Sequence, residues 1–406
     1  MAREKILALI MAGGAGGRMG PLTQVRAKPA VPYGGLYRLI DFPLSNCMHS
    51  GLSDVWIVEQ YQPHSLNEHL AGGRPWDLDR TYGGLQLLTP QQGGEQEGWH
   101  EGNADAIYHQ RAAIRRYAPD TIVVMSADHI YKLDYGEAIA RHKETQADVT
   151  LVTTTVPIEG AGRFGNVHVD EKGRVTGFQY KPEEPQSEIV TTEVFVYDAA
   201  KLLHTLDELV EESDNSEGPA LEDFGHQLIP RLVEEGRAYE HRLEGYWMDV
   251  GTPQSYWQSH LDLLAPEPRL KLYEPDWPIL TYGGLQPPAR IYGSARIDNS
   301  MISPGCTIRG TVVRSVLSPG VVVEEGATVR DSIILHDTLV ESDATVGCAI
   351  VDKNVRIGKE ARVGGDTGSE ITIIGRWTRI PSGAKVTPGA QLPPHATEEH
   401  LKQPVE

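Results

Sequence analysis

The sequence predicts an α/β domain built on a mostly parallel sheet, followed by a parallel β-helix. Three observations carry this expectation. Short apolar runs alternate with segments of helical period across residues 1–264. A proline-rich stretch, 265–288, then ends the helical pattern. Beyond it, over 289–390, apolar and mainly β-branched residues recur at a spacing of six.

The first region opens with ILALIMAG from Ile6, a buried strand, and FPLSNCMHSG, a helix. DVWIVEQ follows as a strand, NADAIYHQRAAIRRYA as a helix and TIVVMSAD as a strand. Alternation of this kind places parallel strands in one sheet with helices on both faces. Ala265-Pro266-Glu267-Pro268, Pro275, Pro278 and Pro287-Pro288 then supply a stiff connector that cannot continue a helix. In the last region the pairs Ile291 and Ile297, Ile302 and Ile308, Val323 and Val329, Val340 and Val346, and Ile357 and Val363 each fall six apart. One inward apolar residue per hexad is what a solenoid with stacked faces requires. His336 stands alone there as a candidate for acid–base chemistry, which assigns the solenoid to assembly or regulation. Residues 391–406 are polar and proline-bearing and are expected to form a mobile tail.

Composition excludes several classes. Lys and Arg total 37 against 56 Asp and Glu, a formal charge of -19, so a mainly electrostatic nucleic-acid binder is not expected. The apolar N-terminal stretch is too short to span a bilayer, and no membrane partner is expected. Cys47, Cys306 and Cys348 are odd in number and widely spaced, which suits neither a disulfide framework nor a metal centre. A reduced, cytoplasmic protein is the expectation.

The residues that carry chemistry begin after the first strand, in Ala12-Gly13-Gly14-Ala15-Gly16-Gly17-Arg18-Met19, followed by Arg26-Ala27-Lys28-Pro29. Glycine lets backbone N–H groups approach a polyanion closely, and Arg18 and Lys28 add positive charge in an acidic chain. The spacing is neither that of the dinucleotide fingerprint nor that of the P-loop. Asp128, after the strand TIVVM, belongs at the C-terminal end of a parallel strand, where α/β proteins bind ligands. Asp249, in Gly245-Tyr246-Trp247-Met248-Asp249-Val250-Gly251-Thr252, is its candidate partner. Each aspartate alone reads equally as a cap or loop residue; together they suit Mg²⁺ held between nucleotide phosphates.

The set GGAGGRM, RAKPAVPYGG, RLIDFPLSNC, EQYQPHSL, WHEGNADAIY, ADHIYKLDY, FGNVHVDEKGRV, YKPEEP, EDFG and GYWMDVGTPQSYW resembles the bacterial ADP-glucose pyrophosphorylases, in order and over nearly the whole chain. The resemblance implies a Rossmann-like nucleotidyltransferase domain and a left-handed parallel β-helix. It implies transfer of the adenylyl group of ATP to α-D-glucose 1-phosphate, giving ADP-glucose and pyrophosphate for glycogen or a related α-glucan. In the family pattern Arg18 and Lys28 contact the nucleotide phosphates, with Gly13, Gly14 and Gly16 beneath them. Gln60 and the segment from Gly102 to Asp105 fall at the adenine side, and Asp128 and Asp249 at the Mg²⁺ position. Lys181 falls at the phosphate of the sugar phosphate, with Gly165, His100, Tyr180, Thr191 and Glu193 around that pocket. Gln60 and Trp99 match positions thought to link regulatory and substrate sites. A homotetramer, with or without a paralogous subunit, and an anionic metabolite effector are also implied.

Departures from the family pattern concentrate in the sugar half. His100 and Asn103 replace tyrosine and threonine, Phe178-Gln179-Tyr180-Lys181-Pro182 replaces FVEKP, and Thr191-Thr192-Glu193-Val194-Phe195 replaces SMGxY. Asp223-Phe224-Gly225-His226-Gln227 replaces DFGKD, and Met248 stands for an arginine. Four readings remain open at this level: an ADP-glucose pyrophosphorylase with a rewired pocket, an enzyme for another sugar 1-phosphate or nucleotide, a non-catalytic or weakly active regulatory subunit, and a sugar-nucleotide sensor. Arg26 with Arg356 and Lys359 reads either as an anion site or as solvated charges on the prism face.

Overall fold

In the computed structural model of the chain, the described residues are 4–14, 16–90, 100, 102–213 and 221–401. They divide into two compact units, one of residues 1–14, 42–61 and 71–247, the other of residues 15–41, 62–70 and 248–406. The division does not fall at the proline-rich stretch alone. Two N-terminal segments, among them the exit of the glycine loop, group with the C-terminal region.

The first unit is organised by β1 (Ile6–Ala12), β2 (Asp54–Glu59), β3 (Gly84–Leu88), β4 (Thr121–Ser126), β5 (Val149–Thr155), β6 (Gly165–Val169), β7 (Val175–Tyr180), β8 (Ile189–Asp198) and β9 (Ala238–Arg242). Among the described residues they form one sheet, in the order β7-β6-β8-β4-β1-β2-β3, with β5 beside β8 and β9 beside β5. β1 is apolar throughout and buried from Leu7 to Ala12, as a central strand covered on both faces must be. It pairs in parallel with β2 and β4, and β2 with β3. On the other side β8 runs antiparallel to β4 and β5, and β7 to β6, while β9 runs parallel to β5. For β7 against β6 the reason is chain length, since the connection 170–174 is too short for the crossover that parallel neighbours need. The segment read as one helix, NADAIYHQRAAIRRYA, is two, Asn103–His109 and Arg111–Tyr117, broken at Gln110. Leu7, Leu9, Val124, Phe195, Leu202 and Leu206 are among the residues of the buried core.

The second unit carries three parallel six-stranded sheets, the arrangement expected of a left-handed parallel β-helix. Three apolar columns run through it. Ile291, Ile308, Val323, Val340, Ile357 and Ile380 stack on one side. Ile297, Val312, Val329, Val346, Val363 and Val386 stack on the second. Ile302, Leu317, Ile334, Val351, Ile374 and Leu392 form the third. Leu392 completes its column beneath Ile374, so the solenoid continues past residue 390, and Glu398–Leu401 forms a short helix. Asn and Asp tolerate left-handed backbone, and Asn299, Asp337, Asp343 and Asn354 hold corners with positive φ. A helix, Pro253–Asp262, starts where it does because Thr252 and Ser255 form a capping box and Pro253 occupies the first turn. That start fixes Asp249 and Gly251 immediately before a rigid element.

Candidate active site

The glycine loop is built around Gly16, whose φ of +68° lies in the left-handed region. A Cβ there would stand 3.1 Å from Thr23 Cγ2 and 3.2 Å from Lys28 Cβ. Glycine is therefore required by both conformation and space. The Gly16 carbonyl accepts from the Met19 N–H at 3.0 Å and from the Thr23 hydroxyl at 2.8 Å, which starts the 3₁₀ turn Gly17–Leu22. Arg18 on this turn is exposed. Lys28 is only 7% exposed, with Nζ 4.0 Å from Asp249 Oδ1. The Cβ that Gly251 lacks would lie 2.9 Å from Asp249 Oδ2 and 3.3 Å from Arg18 Nη2. Within the second unit, Arg18, Lys28 and Asp249 thus gather around a glycine: two cations for phosphate oxygens and a carboxylate that tempers their repulsion.

The first unit holds Gly13 and Gly14, Asp128 and the sugar side. Asp128 follows β4 and accepts a hydrogen bond from the Ser126 hydroxyl. Next to it, His129 Nδ1 lies 2.9 Å from the Thr192 carbonyl, an acceptor, which places a proton on Nδ1. Its Nε2 lies 3.8 Å from both Asp128 Oδ1 and Glu193 Oε2. Glu193 sits in a bulge of β8, where the register with β5 shifts between Thr191 and Val194, and has φ +55°.

A small cavity of about 20 Å³ opens among β6, β7, β8 and the segment 223–229, and Gly165, Phe178, Tyr180, Thr191, Glu193 and Asp223 line part of it. A Cβ on Gly165 would meet the Phe178 ring at 2.8 Å and Thr191 Oγ1 at 3.1 Å. Tyr180 donates its hydroxyl to Asp223 Oδ2 at 2.9 Å and accepts from Lys181 Nζ at 2.6 Å. The other Asp223 oxygen accepts the Asn103 N–H at 3.2 Å. Tyr180 therefore couples Lys181 to Asp223 where the family pattern has a glutamate beside the lysine. Gly225 makes room for it, since a Cβ there would fall 2.0 Å from the tyrosine ring.

The residues expected on the adenine side are also placed. Gln60 exchanges two hydrogen bonds with the backbone of His100, at 3.2 and 3.0 Å. The His100 ring lies 5.2 Å from His109, which pairs with Asp105 at 3.3 Å. Burial, then His109, pushes the His100 imidazole below its usual range, against Asp105. His100 does not line the cavity that gathers Gly165, Tyr180, Thr191 and Glu193. Gly102 packs on the 222–223 backbone, where a Cβ would fall 2.3 Å from the Glu222 carbonyl carbon. Trp99 lies outside the described residues.

A second charged centre occupies the second unit. Arg26 pairs with Asp352, both buried, whereas Arg356 pairs with Glu341 and Lys359 with Glu360. Of the two readings of Arg356 and Lys359, solvated charges on the prism face is the one that holds, since both side chains are more than half exposed. Arg38, Lys353 and Arg376 take their place. Burial, then Arg376, Arg26 and Arg38, push Lys353 down to about 8, with Asp352 opposing. Burial also lowers Arg38 and Arg376 to about 10, and it holds His336 neutral down to about 3, helped by Arg38, Lys353 and Arg26. Arg26 Nε and Arg376 Nε are buried donors with no hydrogen-bond partner among the described residues. Four cations thus surround Asp352, with Asp41 acting on Arg38 and Glu68 on Arg376.

With this geometry in place, the class follows from comparison. Residues 7–265 match the family model described as nucleotidyl transferase, and 287–387 match one described as GlmU-like, C-terminal hexapeptide. The chain is 43% identical to a glucose-1-phosphate adenylyltransferase of Thermomicrobium roseum, over 97% of this chain and 94% of that one. It is 37% identical to the enzyme of that name from Acetivibrio thermocellus, over 99% and 96%. With that from Desulforamulus reducens it shares 38%, over 97% and 99%. The chain belongs to the glucose-1-phosphate adenylyltransferase family of nucleotidyl transferases. Asn103, Phe178 and Asp223 escaped the residue-by-residue reading as site residues, as did Arg38, Lys353, Arg376 and Asp352. The one available signal was that Asn103, Phe178 and Asp223 lie inside motifs that depart from the family pattern.

Among the described residues, no three His, Cys, Asp or Glu side chains cluster as a metal site. A donor set of one or two carboxylates fits Mg²⁺, which keeps waters and takes substrate phosphate oxygens for the rest. No helix among the described residues is long and apolar enough to cross a membrane.

Proposed function

We propose that the protein transfers the adenylyl group of ATP to α-D-glucose 1-phosphate, releasing pyrophosphate and forming ADP-glucose for α-glucan synthesis. The observation that supports this most is the gathering of Arg18, Lys28 and Asp249 around Gly251 within a chain that matches the family end to end. An oxygen of the sugar phosphate attacks the α-phosphorus of ATP in line; the new P–O bond forms as the bond to pyrophosphate breaks. The nucleophile is already an anion near neutral pH, so no general base is needed. What the chain must supply is alignment of two anions and neutralisation of charge. Arg18 and Lys28 offset the phosphates of ATP, and the coupled trio Lys181, Tyr180 and Asp223 orients the sugar phosphate. Gln60, braced by the His100 backbone, shapes the adenine side together with Gly102 and Asp105. Asp128 and Asp249 are the carboxylates assigned to Mg²⁺, an assignment that rests on the family motifs. When bound, the ion supplies charge stabilisation to the departing pyrophosphate.

The cluster of Arg26, Arg38, Lys353 and Arg376 is proposed as the site of an anionic metabolite effector. Buried, partly unsatisfied guanidinium donors are costly unless an anion completes them. A cytoplasmic homotetramer, with the solenoid as the assembly element, completes the reading; light scattering of the purified chain tests the oligomer. Pyrophosphate release from Mg²⁺-ATP and glucose 1-phosphate tests the activity. Silence with intact ATP binding would favour a regulatory subunit.

A further inference from the structure

We propose that the groove beside the last two corners of the solenoid is a binding site for a neutral chain of hexose units, a short linear glucan. The inference is independent of the adenylyl-transfer reading and concerns a different place in the fold. The groove, of about 540 Å³, is formed within the second unit and lined in part by Glu341, Arg356, Trp377, Arg379, His395 and Glu398. None of the six belongs to the glycine loop, the sugar side or the buried cation cluster.

One corner of the solenoid recurs coil by coil. The N–H of Asp337 donates to the Pro319 carbonyl, that of Asn354 to His336, that of Trp377 to Lys353 and that of His395 to Arg376. These four residues, and Gly320 before them, have left-handed φ, between +57° and +76°. Glycine, aspartate, asparagine and histidine suit such a corner, whereas tryptophan is bulky there and is held at a cost. Trp377 remains 39% exposed, so burial offsets that cost only in part. Strained positions that persist cluster where a ligand is recognised. The His395 ring stacks on the indole at 4.6 Å and 21°, and the Arg376 guanidinium lies 3.9 Å from its centre. The groove thus has an aromatic wall that is already in place before a ligand arrives.

The polar lining sets the chemistry of that ligand. Arg356 and Arg379 stand in register on neighbouring coils, and Glu341 and Glu398 match them in number. A balanced set of this kind gives a phosphate no net attraction, unlike the four cations around Asp352. Guanidinium donors and carboxylate acceptors instead take the vicinal hydroxyls of a sugar in pairs, and the aromatic wall takes the apolar face of its ring. The volume falls within the roughly 300–1,000 Å³ of ligand clefts and has room for about two or three hexose units.

The test titrates the purified full-length protein with maltoheptaose and with glucose by calorimetry, for wild type, Trp377→Asn and Arg379→Gln. Mobility in native gels with and without glycogen is read in parallel. Asparagine holds the same corner one coil earlier, at Asn354, so Trp377→Asn suits the backbone. Arg379 is exposed, and its replacement leaves the aromatic stack intact. Wild type is expected to bind maltoheptaose with a Kd of about 1 mM or tighter, to bind glucose at least about tenfold more weakly, and to be retarded by glycogen. Each variant should weaken maltoheptaose binding about tenfold or more and lose the retardation. Should Trp377→Asn fail to fold by its melting curve, Arg379→Gln decides alone. No maltoheptaose binding at about ten times that Kd, glucose binding as tight as that of maltoheptaose, or binding that a folded variant retains in full overturns the proposal. Pyrophosphate release, measured on the same preparation, stands or falls separately.

Discussion

Gly165→Ala probes the assignment of the cavity most sharply. The added Cβ would lie 2.8 Å from two atoms of the Phe178 ring and 3.1 Å from Thr191 Oγ1. Carbon atoms rest at about 3.5–4.0 Å, so the ring must retreat by close to an ångström. Both neighbours line the same cavity, and any retreat changes its shape. Overpacking of this kind costs about 1–3 kcal/mol. For a unit of this size that lowers Tm by roughly 2–4 °C per kcal/mol. A displacement of about 1 Å at a substrate wall also costs on the order of tenfold to a hundredfold in catalysis. Initial-rate kinetics should therefore show KM for the sugar phosphate raised about tenfold or more, with KM for ATP within twofold. Scanning calorimetry on the same sample checks that the variant is folded. A folded variant whose sugar-phosphate KM is unchanged, or whose ATP KM rises instead, would refute placing the sugar in this cavity.

Removing the bridging hydroxyl in Tyr180→Phe leaves Lys181 and Asp223 uncoupled; kcat/KM for the sugar phosphate should fall about tenfold, with nucleotide binding by fluorescence titration unchanged. Asp128→Asn should abolish pyrophosphate release while the melting curve stays within a few degrees of wild type; unchanged turnover would remove Asp128 from the Mg²⁺ assignment. Asp352→Asn strips the buried partner of Arg26 and should destabilise the protein by about 3–5 kcal/mol. Sulfate should restore more of that loss than it adds to wild type, as read by thermal melts. Lys353, pushed down to about 8, is protonated below that pH and neutral above it. Sulfate keeps its charge across the range, so its affinity should weaken as pH rises from 7 to 9, and Lys353→Met should flatten the profile; a flat wild-type profile counts against the effector site.

Much of this was legible in the residues, for physical reasons that differ from element to element. Each hexad supplies its own inward residue, so the columns through Val323, Val340 and Ile357 follow from local spacing. β1 is apolar at every position, which leaves a central strand as its one sensible place. The need for glycine in the loop follows from Gly16, whose φ of +68° leaves no room for a Cβ beside Thr23 and Lys28. The bridge from Tyr180 to Asp223 was not legible. It depends on how the segment carrying Gly225 folds over the end of β7, which no local pattern encodes. The cation cluster was not legible for a related reason. Val351 pairs with Ile334 and then with Ile374, across a coil longer than its predecessors. Arg376 follows that longer coil, and only the folded register brings it, with Lys353, to Arg26 and Arg38. Antiparallel entry of β8 was hidden too, because a buried apolar strand reads alike in either direction.

The central claim is adenylyl transfer to a sugar 1-phosphate, and one measurement addresses it directly: incubation of the purified chain alone with Mg²⁺-ATP and glucose 1-phosphate or glucosamine 1-phosphate, with pyrophosphate quantified and the nucleotide product identified by mass. The account predicts equimolar pyrophosphate and an ADP-sugar that depend on Asp128 and Lys28. ATP binding without any ADP-sugar, from either sugar phosphate, would contradict it.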